Sequence, residues 1–242
     1  MFLVVLLSIV VFSAINYLAY VTRRWVGDRR GYGLAGMMGG LFSSTAVTFD
    51  FARRSRREPE MARSLAAGVV GACVVLMPRV LIASAILNPR VSARLSIVLA
   101  PALLLGVVLV ARDWRAATVH DGPASPLGNP LRLGMAIRMA VLFQIAILAA
   151  DWMRSHWSAT GLYATSAALG LTDVDALTVA MNRPTEPIAP ELAARAIAVG
   201  ILANTAMKSA VAMTMGARAF RRATVIPLML LGAAIAAALR FM

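Results

Sequence analysis

Eight long apolar runs leave this chain little else to fold with: 2–21, 32–52, 62–88, 94–111, 133–153, 158–181, 191–216 and 223–241. A helix rises about 1.5 Å per residue, so roughly twenty apolar residues cover the hydrocarbon core of a bilayer. The expected fold class is an all-α polytopic membrane protein. Its 60% hydrophobic composition and mean hydropathy of +0.77 agree, since a soluble domain has about 45–50% apolar residues. The first run, with no basic stretch before it and Arg23 and Arg24 after it, reads as a retained helix rather than a signal peptide.

The charge pattern fits the same class. The formal net charge is +13, and Lys208 is the sole lysine. The arginines gather at the ends of apolar runs, as in RRWVGDRR (23–30) and ARRSRR (52–57), where juxtamembrane arginines meet anionic headgroups. The lipid bilayer is therefore the expected partner, in the cytoplasmic (inner) membrane, and nucleic acid is not. Cys73 is the single cysteine and lies inside an apolar run, and His120 and His156 sit far apart. Neither a disulfide framework nor a zinc site is expected. There is no P-loop, nucleophile elbow or dinucleotide fingerprint. GLAGMMGG (33–40) lies inside an apolar run and reads as helix packing or a helix break. No cofactor and no enzymatic activity are expected.

The chain divides into a first membrane repeat (1–111), a polar linker (112–132) with His120, Asp121, Gly122, Pro123, Pro126, Asn129 and Pro130, and a second repeat (133–242). At a constant offset, GGLFSSTAVT (39–48) lies on LGLTDVDALT (169–178): Gly40 on Gly170, Leu41 on Leu171, Ala46 on Ala176 and Thr48 on Thr178. Ser43, Ser44 and Thr45 then fall on Asp173, Val174 and Asp175, and after a two-residue slip Gly68 falls on Gly200. If all eight runs cross, the basic residues split evenly between the two sides. If the second and sixth are re-entrant or broken, most of the 24 fall on one side: nine between 23 and 63, four between 112 and 138, and three between 218 and 222. The positive-inside rule favours that arrangement, which sets the two repeats in opposite orientations, a recurrent transporter plan.

Asp173 and Asp175 are the sharpest chemical signal. Each lies mid-run, where a charge costs about 2.5–3.5 kcal/mol on insertion scales. A helix broken at Gly170 would turn both carboxylates inward. With Ser43, Ser44, Thr45, Thr48, Thr178 and Asn204 they form an all-oxygen set suited to a hard cation or a proton. A metal cargo would use Asp173 and Asp175. The competing reading pairs the aspartates with Lys208 or Arg79 as buried ion pairs, with the small polar residues only allowing close helix packing. Lys208 and Asn204 lie one turn apart on one helix face, as an outer layer of the site. Lys208 and Arg79 could act as fixed counter-ions to the aspartates; the plainer reading is snorkelling toward an interface, more so for Arg79, which follows Pro78.

GGLFSSTAVTFDFARRSR (39–56), GLTDVDALT (170–178), PRVLIASAILNP (78–89) and GILANTAMKSAV (200–211) together resemble a family of bacterial and archaeal membrane domains of unknown function. Members often follow an MgtC/SapB-type domain in one polypeptide, and this chain reads as that second domain standing alone. The resemblance covers nearly the whole chain and implies the fold and the weight of the two motifs. It links the protein to magnesium only by association and assigns no site residues. The expected function is a transporter or channel-like protein moving a small cation through a midplane site between the repeats. The alternative is a non-transporting regulatory partner of another membrane protein. Gly/Ala-rich faces would also permit a homodimer.

Overall fold

The computed structural model describes residues 31–116, 161–182 and 188–241, with isolated helical positions at 10, 141, 144, 145, 148 and 152. Apart from those positions, the runs at 2–21 and 133–153 and most of the linker lie outside the described residues. Every described element is a helix: α1 (Gly31–Arg57), a 3-10 turn (Pro59–Met61), α2 (Ala62–Leu87), α3 (Pro89–Ala116), α4 (161–172), α5 (Val174–Met181), α6 (Pro190–Met215) and α7 (Arg218–Arg240). Proline at a first helical position suits Pro59 and Pro190, because its missing N–H would be unpaired there anyway. Extended backbone at Asn88 ends α2, and extended Gly216 and Ala217 separate α6 from α7. α3 begins before residue 94 and enters the expected linker, while α7 begins at Arg218 rather than 223. The helices outrun their apolar stretches because arginine is a good helix former in polar surroundings.

Among the described residues, four helical stretches are long and apolar enough to cross a bilayer: Pro59–Leu87, Pro89–Arg112, Pro190–Met215 and Arg218–Arg240. Their burial separates an inner from an outer layer. The most apolar windows of α2 and α6 are 67% and 56% buried inside the protein, against 33% for α3 and 28% for α7. α3 and α7 accordingly expose Ile97, Leu104, Val107, Ile226, Met229 and Leu230, an apolar surface that suits lipid.

α1 is not one rod. At Ser43 the backbone is extended (φ −161°, ψ 103°), and the helix doubles back. Tyr32 near its start donates from its hydroxyl to Glu58 Oε2 (3.1 Å) just past its end. The same ring meets Phe51 edge-on (6.1 Å, 82°) and lies 4.7 Å beneath the Arg54 guanidinium. A second break stands between α4 and α5 at Asp173 (φ −156°, ψ 109°). Here too the chain folds back, because Ser166 on α4 and Leu177 on α5 both border Gly200 on α6.

Glycine lets both broken elements sit hard against their partners. A Cβ on Gly36 would lie 2.3 Å from Gly68 Cα on α2, and one on Gly170 would lie 2.2 Å from the Gly200 carbonyl oxygen on α6. Small residues at such crossings allow backbones to touch. At one end of the bundle Arg56 Nη2 donates to the Thr214 carbonyl (2.6 Å) and the Ala217 amide to Ser55 Oγ (3.0 Å). At the other, Asn182 Nδ2 donates to Ser84 Oγ (3.1 Å) and Arg94 pairs with Glu191 (3.0 Å). The start of α2 thus lies with the end of α6, and the two inner helices run antiparallel.

Candidate functional site: two helix breaks joined by Arg79

A helix broken in an apolar interior leaves carbonyls without amides before the break and amides without carbonyls after it. The two breaks meet the second need alike. Ser43 Oγ accepts from the Ala46 amide (3.2 Å), and Asp173 Oδ1 accepts from the amides of Asp175 (2.8 Å) and Ala176 (3.2 Å). Each is the N-cap of the helix that follows. One turn on, Thr48 Oγ1 donates to the Ser44 carbonyl (2.8 Å) and Thr178 Oγ1 to the Val174 carbonyl (2.7 Å). The sequence offset that aligned the two motifs therefore also superposes cap, capped amide and back-bonded threonine.

The orphan carbonyls are met by long side chains from the inner helices. Arg79 on α2, only 6% exposed, directs Nη1 at the carbonyls of Gly40 (3.4 Å), Leu41 (2.6 Å) and Phe42 (3.2 Å), the last before the first break. Its Nη2 forms an ion pair with Asp175 Oδ2, in the first turn after the second break. One guanidinium thus ties both breaks together. On α6, Asn204 Nδ2 donates to the Gly170 carbonyl (2.8 Å), the counterpart of Gly40. Lys208, 1% exposed, donates from Nζ to Ser44 Oγ (2.7 Å). No described carboxylate lies within 4.0 Å of that ammonium, although Asp175, Arg79 and Cys73 are close enough to act on it.

Four buried polar atoms around these breaks have no hydrogen-bond partner among the described residues: Asp175 Oδ1, Asn204 Oδ1, Asn182 Oδ1 and Arg79 Nε. Each represents about 1–3 kcal/mol of unreturned desolvation. Three of the four are acceptors, and Asp175 and Asn204 both adjoin the second break.

Several expectations change. The second break falls at Asp173 and not at Gly170, whose missing side chain instead admits the Gly200 backbone. Asp173 and Asp175 do not present two free carboxylates to one centre: Asp173 Oδ1 is occupied by the amides of its own helix and Asp175 Oδ2 by Arg79. Among the described residues no three His, Cys, Asp or Glu side chains converge as a metal site. Arg79 does not snorkel to an interface, because the orphan carbonyls and Asp175 hold it inside. Ser43 sits at the first break, Ser44 and Thr48 follow it, Thr178 follows the second, and Asn204 and Lys208 reach the breaks from α6 through the Gly170 carbonyl and Ser44 Oγ. Thr45 is half-buried and joins none of these bonds among the described residues. Asn182, which also donates to the Thr178 carbonyl (2.8 Å), was not singled out in the sequence. Its only signal there is a lone amide at the end of an apolar run.

These features define a helical membrane protein with a charged, partly unsatisfied centre where two discontinuous helices approach each other. The chain belongs to the DUF4010 family, a domain of unknown function, which matches residues 10–216. It is also similar to an uncharacterized protein of Aquifex aeolicus (strain VF5), 25% identical over 189 residues, covering 76% of this chain and 82% of the other. No solved structure matches the chain.

Proposed function

We propose that this protein is a carrier for a small cation, with its binding centre where the two broken helices meet at Asp175. The observation that carries the reading is a buried carboxylate shared between uses: Oδ2 is held by Arg79, while Oδ1 has no donor among the described residues. The orphan oxygen of Asn204 beside the same break adds a second hard ligand. A cation arriving there competes with Arg79 for Asp175, and Arg79 keeps its three carbonyl acceptors when the carboxylate is released. Arg79 and Lys208 then serve as fixed counter-charges that leave the centre near neutrality when empty.

An inverted two-fold repeat is part of this reading. The ends of α1 lie together, α4 and α5 fold back likewise, and α2 opposes its counterpart α6 in direction. That is the pattern of two re-entrant elements entering from opposite faces. The positive-inside rule then places the Arg53–Arg57 end in the cytoplasm of a multi-pass inner-membrane protein.

The test is uptake and efflux in proteoliposomes across magnesium, sodium, potassium and a proton gradient, wild type beside Asp175→Asn. Flux present in the wild type and lost in a normally inserted variant supports the carrier and names its ion. Absence of flux with all of them, from folded protein, refutes small-cation transport and favours a regulatory membrane partner.

A further inference from the structure

At the bundle end where α1 finishes and α7 begins, two arginine triplets of identical spacing are brought side by side. Arg53, Arg56 and Arg57 close α1, and Arg218, Arg221 and Arg222 open α7; all six are exposed. Residues at i, i+3 and i+4 share one helix face. The ends are joined by the bonds from Arg56 to the Thr214 carbonyl and from the Ala217 amide to Ser55 Oγ, so adjacent residues anchor both triplets. Arg221 Nε also donates to the Gly216 carbonyl (2.9 Å). Among the described residues none of the six pairs with a carboxylate.

Two further features point to what neutralises them. α7 has no acidic residue in its first turn and no side-chain cap at Ala217, so three positive charges stand at the positive end of its own helix dipole, an unfavourable place without an anion. Depth identifies the anion's source. The exposed apolar Phe49 lies four residues before Arg53, and exposed Ile226 four residues after Arg222. Four helical residues span about 6 Å, which sets both triplets at headgroup level, just beyond a lipid-facing surface.

From this we infer that the paired triplets form a binding site for the phosphodiester of an anionic phospholipid, its chains running along Phe49 and Ile226. Guanidinium groups suit this ligand because they bind phosphate oxygens in a forked, bidentate way. The site is independent of the cation centre.

The test titrates dihexanoyl phosphatidylglycerol onto the detergent-solubilised full-length protein, with dihexanoyl phosphatidylcholine and inorganic phosphate in parallel. Saturable phosphatidylglycerol binding should weaken at least tenfold in Arg218→Gln/Arg221→Gln/Arg222→Gln and stay unchanged in Arg240→Gln at the far end of α7. Each basic side chain near an anionic surface accounts for roughly fivefold in affinity, so Arg222→Gln alone should show that step if the triple variant does not fold. Three results would overturn the inference: unchanged phosphatidylglycerol binding in the variants, equal binding of phosphatidylcholine, or phosphate alone binding as tightly as the lipid.

Discussion

Removing either partner of the Arg79–Asp175 pair should not cost the same, and the difference can be worked from their other contacts. Arg79→Met strands a buried carboxylate and the carbonyls before Ser43 together. Losing one partner of a buried ion pair costs about 3–5 kcal/mol. The two protons of Nη1 shared over three carbonyls add roughly 1–2 kcal/mol. Asp175→Asn leaves those carbonyl bonds intact and keeps an oxygen that can accept from Nη2, so about 1.5–3 kcal/mol is expected. The double variant leaves no charge at either position and should fall well short of the sum of the singles. The assay is reversible unfolding in mixed micelles, by circular dichroism, on all four proteins. Equal destabilisation by the two single variants, or strict additivity in the double, would refute the picture of one guanidinium serving both breaks.

Other outcomes follow from the same geometry. Asp173→Ala and Ser43→Ala should each lose about 1 kcal/mol as vacated N-caps. Asp173→Asn should stay near wild type in both stability and flux, and a flux loss there as severe as that of Asp175→Asn would show a role beyond capping. Gly170→Ala and Gly36→Ala place a methyl group into backbone and should each cost at least 1–3 kcal/mol or so in thermal unfolding. Gly33→Ala, which meets nothing within 4 Å, should cost none of that. Lys208→Met removes a buried ammonium whose hydrogen bond among the described residues goes to the Ser44 hydroxyl, so its desolvation cost is relieved and stability should not fall, while cation flux is lost. Marked destabilisation would make Lys208 a structural residue.

The helix breaks were legible in the sequence for a definite reason. A cap, a small residue at the capped amide and a threonine one turn later are local chemistry, so Ser43, Ala46 and Thr48 leave the same trace as Asp173, Ala176 and Thr178. The close approach of Gly170 to Gly200 also lies within reach of pattern, although it disguised the position of the break. The direction of Arg79 was hidden because an arginine after a proline in an apolar run looks alike whether it bends outward or inward. What draws it in is a set of main-chain carbonyls, and those have no sequence identity. Asp173 shows a related limit: a carboxylate that caps a helix and one that binds an ion are the same residue, told apart only by which amides lie within 3 Å or so of it.

The contacts of the two broken elements also determine where this protein can bend. Each lies against its own inner helix where glycines admit bare backbone, Gly36 on Gly68 and Gly170 on Gly200, with the Phe51 and Leu177 side chains seated on the same two inner glycines. Between the two halves the bonds are of another kind: long or small polar side chains, from Arg79 to Asp175, Lys208 to Ser44 and Asn182 to Ser84. Those can exchange one acceptor for another as the helices shift, whereas the glycine contacts either hold or open a void. On the proposed carrier reading, each half would move as a stiff block hinged on this polar seam, with Asp175 on the line along which the blocks part.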